Sequence, residues 1–118
     1  MAKPLGVDRF RSIACSLPGA EESAHMGHPD FRVNGRIFAT LSGAARGRGV
    51  LKLTPEQQAA FIAELPEVFE PVRGGWGRIG MTYIVLDHAD DETLRGALVT
   101  VHRNIAAKPK RAARKPRP

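Results

Sequence analysis

The chain holds one cysteine, one tryptophan and one tyrosine among its 118 residues. A single thiol, Cys15, excludes an internal disulfide and any metal site built on several cysteines. No apolar run approaches the roughly 20 residues that cross a bilayer. The opening Met-Ala-Lys-Pro-Leu-Gly carries no apolar stretch of a secretory signal. These absences predict a cytoplasmic protein with no membrane partner. Acidic residues are also missing from the last eleven positions, which hold six cations: Lys108, Lys110, Arg111, Arg114, Lys115 and Arg117. The whole formal charge of +6 sits there, because residues 1–107 carry twelve basic and twelve acidic side chains. With nothing apolar to bury, residues 108–118 are expected to form a disordered basic tail. Residues 1–107 are expected to form a single domain with one core.

Hydrophobic spacing supplies the elements of that domain. Val7, Phe10, Ile13, Ala14 and Leu17 recur at helical intervals, so residues 8–16 read as an amphipathic helix ended by Leu17-Pro18-Gly19. Residues 31–33 and 36–41 flank Asn34-Gly35, a pair that tolerates positive φ at both central positions of a type I′ turn, and so read as a hairpin. Residues 23–27 read as a short strand before it, and 50–53 as a strand after it. Thr54-Pro55-Glu56-Gln57 opens a helix with a capping residue, a proline at the first helical position and a capping-box glutamine. That helix turns Phe61, Ile62 and Leu65 inward and stops at Pro66. Residues 68–72 and 79–86 read as strands around the loop 73–78. Asp90 or Asp91 caps a last helix with Leu94, Leu98, Val101 and Ile105 on one stripe. Strands joined by short turns favour an antiparallel sheet with helices packed on one face, an α+β sandwich of two layers.

Several segments together resemble the MmcQ/YjbR family of small bacterial proteins. They are Leu17-Pro18-Gly19-Ala20-Glu21-Glu22, the run from Phe31 to Ala39 around Asn34-Gly35, the join Leu51-Lys52-Leu53-Thr54-Pro55-Glu56, and Gly75-Trp76-Gly77-Arg78-Ile79-Gly80. The resemblance spans about residues 7–108. Met81 and His102 stand where members often carry aromatic residues. The resemblance implies the order α-β(3)-α-β(2)-α, a sandwich like that of type III secretion chaperones. It also implies DNA binding, a description the family carries by structural analogy.

Motifs of other chemistries fit their context poorly. Gly75-x-Gly77-x-x-Gly80 spells a dinucleotide fingerprint, but the glycines lead into a strand where the fingerprint needs a helix N-terminus. Its glycines are read as serving tight backbone approach. His25-x-x-His28-x-Asp30 has metal-ligand residue types, yet an i,i+3 pair on a strand and turn points to different faces, with no third ligand. No serine has a nucleophile-elbow context, and Cys15 lies off the apolar face with nothing to activate it. Neither a catalytic residue, a metal nor a cofactor is expected, and the chain is read as no enzyme.

The basic residues of the domain cluster. Arg32, Arg36, Arg46, Arg48 and Lys52 lie between Phe31 and Pro55 with no acid, and Arg73 and Arg78 flank Trp76. If the sheet leaves one face open, these residues make that face cationic, with Trp76 placed to stack on a base or on an arginine. The first expectation is therefore a monomer that binds DNA or another polyanion without sequence preference. The tail would give a log–log salt slope of about −5, and the sheet–loop face would orient the phosphates. The alternative is a chaperone-like protein-interaction module with no nucleic-acid role. An exposed apolar patch beside Trp76, Met81 and Tyr83 favours the alternative, and a continuous cationic face favours the first.

Overall fold

The computed structural model describes residues 5–108. Helix α1 (Leu5–Ser16) leads into strands β1 (Glu21–His25), β2 (His28–Val33), β3 (Arg36–Thr40) and β4 (Arg48–Lys52). Helix α2 (Pro55–Glu64) follows, then β5 (Phe69–Pro71), the one-turn helix α3 (Gly75–Arg78), β6 (Met81–Val85) and α4 (Asp91–Ala106). The six strands form one antiparallel sheet in the order β1-β2-β3-β4-β6-β5. This is the expected α+β sandwich, with a first block of four strands because Glu21–His25 pairs along β2. Residues 73–78, read as a loop, contain α3. The tail beyond Lys108 lies outside the described residues.

Local chemistry places the ends of these elements. The Asn34-Gly35 turn has φ of 56° and 77°, as a type I′ hairpin requires. A second turn of the same sign joins β1 to β2 at Met26 (φ 53°) and Gly27 (φ 81°). Thr54 Oγ1 accepts from the Gln57 backbone N–H at 3.1 Å while Gln57 Oε1 accepts from the Thr54 N–H at 3.1 Å, a closed capping box. Asp90 caps α4 by accepting from the Thr93 N–H at 2.8 Å, and that bond holds its carboxyl below the usual aspartate range.

Side chains that pair across strands share a face. Phe31, Ala39, Leu51 and Thr82 form one such row, and all four are buried. Helices α1, α2 and α4 cover that side, α4 crossing β3 and β4 while α2 lies along β5 and β6. The predicted stripe of α4, Leu94, Leu98, Val101 and Ile105, closes over Phe10, Phe38 and Ile84. His102, on the same helix, meets the Phe38 ring edge-on at 5.4 Å and shares a 2.7 Å hydrogen bond with the Pro18 carbonyl. Its place is structural, tying α4 to the end of α1. With three helices on one face, the other face of the sheet carries no layer of its own among the described residues.

Candidate binding groove on the open sheet face

One row of cross-strand partners runs the full width of the open face: Ser23, Asp30, Thr40, Val50, Tyr83 and Glu70. Its two acids stand near opposite edges, and each is held by an arginine. Arg32 donates to Asp30, and the bond makes the guanidinium harder still to deprotonate. Arg48 donates Nε to Glu70 Oε2 and lies 5.8 Å from the Tyr83 ring centroid. Two of the five basic residues between Phe31 and Pro55 are thus matched by carboxylates brought in from their own strand or from β5.

Between these pairs the face is concave and mainly apolar. A cavity of about 440 Å³ is floored and walled by Ile37, Val50, Val72, Trp76, Met81 and Tyr83. His25, Thr40, Ser42 and Lys52 complete its lining, and none of the lining residues is acidic. The Thr40 and Ser42 hydroxyls bond to each other at 2.9 Å.

The wall carrying Trp76 is locked in place by backbone contacts. A Cβ on Gly77 would lie 1.8 Å from the Val72 carbonyl oxygen, and one on Gly80 (φ 112°) would lie 2.0 Å from that of Leu53. Two of the three glycines of the apparent fingerprint, Gly77 and Gly80, therefore let the chain press against its neighbours, as read from the sequence, whereas Gly75 has room for a side chain. Gln58 of α2 reaches the same corner, its Nε2 lying 3.0 Å from the Gly77 and Met81 carbonyl oxygens and 3.2 Å from Thr82 Oγ1. Thr82 Oγ1 in turn donates to the Gly80 carbonyl at 2.7 Å. Nothing in the sequence singled out Gln58, because its partners arrive only when β6 docks. Fixed in this way, Trp76 remains 65% exposed at the rim of the groove.

The other basic residues read from the sequence scatter around this feature. Lys52 lies in the groove wall. Arg36 begins β3 and is half-buried, Arg46 ends a 3-10 turn in the open, and Arg73 and Arg78 are exposed on either side of Trp76. Lys108 follows the end of α4 on the surface. Lys110, Arg111, Arg114, Lys115 and Arg117 lie outside the described residues. The face is thus cationic at its margins and apolar at its centre.

The two histidines correct one step of the sequence argument. The tight turn at Met26-Gly27 sets His25 directly opposite His28, so they do not point to different faces. Asp30 follows on the same side but is taken by Arg32. Among the described residues no group of three His, Cys, Asp or Glu gathers as metal ligands.

An antiparallel six-stranded sheet, three helices on one side and a grooved face on the other define a two-layer α+β domain. The model of the YjbR family matches residues 15–104, and the chain belongs to that family. The crystal structure of Deinococcus radiodurans protein DR2400, with a domain designated DUF419, is similar, with a TM-score of 0.72 at 22% identity. The likeness covers 86% of this chain and 79% of that one and shows the shared fold. No curated protein matches the sequence. No helix among the described residues is long and apolar enough to cross a membrane.

Proposed function

We propose that this YjbR-family chain is a non-enzymatic, cytoplasmic binding module whose open sheet face receives the apolar side chains of a partner protein. The observation that carries the reading is the groove itself. Ile37, Val50, Met81 and Tyr83 face outward from the sheet with Trp76 exposed beside them. A surface made for phosphates keeps its arginines available to replace counterions. Here Arg32 and Arg48 would first have to release Asp30 and Glu70. Cations at the margin and the lack of acids in the lining favour a partner segment that combines apolar with acidic residues.

A second reading, DNA binding, rests on a separate feature. Residues 108–118 hold six cations and no acid, enough to attach to any polyanion. Titrating fluorescent duplex DNA with the full chain and with residues 1–107, at several salt concentrations, separates the two. We expect the full chain to bind with a log–log slope of about −5 and residues 1–107 to bind negligibly. Salt-dependent binding by residues 1–107, lost on Arg73→Glu with Arg78→Glu, would make the sheet face a nucleic-acid surface and overturn the first reading.

A further inference from the structure

We infer that the binding site does not end at the sheet face but continues to the C-terminal end of α4, so that it takes one extended protein segment in which apolar residues adjoin acidic ones. The inference rests on the groove reading above. A second cleft of about 490 Å³ lies between the end of β4, the start of β6 and the last turn of α4. It shares Lys52 and Met81 with the sheet groove, so the two clefts adjoin at the start of β6 as the two arms of a bent furrow with that pair at the bend.

Three features make this furrow a recognition surface. Trp76 and Ile79, exposed by 65% and 59%, line its two arms, and among the described residues they are two of the three large apolar side chains left most open. Exposed apolar residues of this size that line adjoining clefts mark an interaction site. The second arm changes the chemistry. Leu53, Ile79 and Ile105 give it an apolar wall, while Lys52, Arg103 and Lys108 add positive charge and no lining residue is acidic. Arg73 and Arg78 flank Trp76 at the first arm, so both arms are bordered by cations and lined by no acid, and a complementary ligand carries acids beside its apolar residues along its whole length. A nucleic-acid strand would meet the same cations. The apolar wall of Leu53, Ile79 and Ile105, however, packs aliphatic side chains better than bases and on that side favours a peptide.

The test is selection of a phage-displayed library of random twelve-residue peptides on the full chain, repeated on two variants. Arg103→Glu with Lys108→Glu reverses the charge of the second arm, and Met81→Asp spoils the apolar bend. Both sets of side chains are outside the core, and circular dichroism checks that each variant is folded. The expected result is enrichment of peptides in which aromatic or aliphatic residues adjoin several acids. The charge-reversal variant should bind those peptides at least tenfold more weakly, as reversal of rim charges implies, and should select apolar peptides without the acids. Met81→Asp should abolish enrichment. Apolar peptides selected without acids on the unaltered chain would overturn the continuation while leaving the groove reading standing. Enrichment indifferent to Met81→Asp would overturn both. Displacement of the selected peptides by a twelve-residue oligothymidylate at equal concentration would show a nucleic-acid site and overturn the inference.

Discussion

Asp30 and Arg32 stand two residues apart on β2, joined by two hydrogen bonds, Nε to Oδ1 at 2.8 Å and Nη2 to Oδ2 at 3.0 Å. Asp30 is only 1% exposed, so the pair satisfies a buried carboxylate at the cost of an arginine that solvent can still reach. Removing one partner strands the other. Arg32→Ala is expected to lower stability by about 2–3 kcal/mol, below the range for a fully buried pair because water reaches the Arg32 side chain. Replacing both, as Asp30→Thr with Arg32→Thr, should recover most of the loss. Urea unfolding of the two single variants and the double variant measures the coupling directly.

The corner that presents Trp76 makes a sharp contrast between neighbouring glycines. Gly77→Ala must displace the Val72 carbonyl, since the added carbon would lie 1.8 Å from its oxygen. A loss of about 3 kcal/mol or more is expected, as for other overpacked sites. At Gly75 the nearest atom is Arg78 Nη2 at 3.9 Å, and Gly75→Ala should change stability by no more than about 0.5 kcal/mol. Thermal unfolding of the pair checks this, and Trp76 emission should shift only in the first.

The two hairpin turns share a backbone shape but not a suitable residue. Asn34 (φ 56°) suits the left-handed region, whereas Met26 (φ 53°) gains nothing there. Met26→Asn is expected to stabilise the protein by roughly 0.5–1 kcal/mol, and Asn34→Ala to destabilise it by about 1 kcal/mol. Denaturant midpoints for the two variants should move in opposite directions.

Cys15 is exposed, yet partial burial of its sulfur raises its pKa, and the Glu22 charge and hydrogen bond add to the rise over the opposing effect of Arg11. Less thiolate forms at a given pH, so alkylation by iodoacetamide at pH 8 should run slower than for free cysteine. The rate should rise with pH and level off at higher pH than for free cysteine, and Glu22→Gln should speed it at pH 8.

What the sequence made legible was whatever local chemistry decides. Asn34-Gly35, the Thr54–Gln57 capping box and the stripe Leu94, Leu98, Val101 and Ile105 each carry their instruction within a few residues. Strand β1 was harder, since all five of its residues are exposed and no alternation marks it. Its turn hides behind a methionine in a conformation methionine rarely adopts. The candidate site was half visible. The arginines and Trp76 were named, but their meaning depended on register. Arg48 meets Glu70 only because β6 inserts between β4 and β5, across 22 residues of chain. Composition counted the cations of this face and could not see which of them were already paired.

The central claim is that the open sheet face accepts apolar groups, and one titration addresses it. The amphiphilic dye anilinonaphthalene sulfonate brightens on apolar surface, and Trp76, the only tryptophan, can pass its excitation to dye bound within the groove. The full, folded chain should bind the dye saturably at one site with energy transfer from Trp76, and Met81→Asp should abolish the transfer while leaving circular dichroism unchanged. Absence of saturable transfer in the unaltered chain, or transfer untouched by Met81→Asp, would contradict the claim.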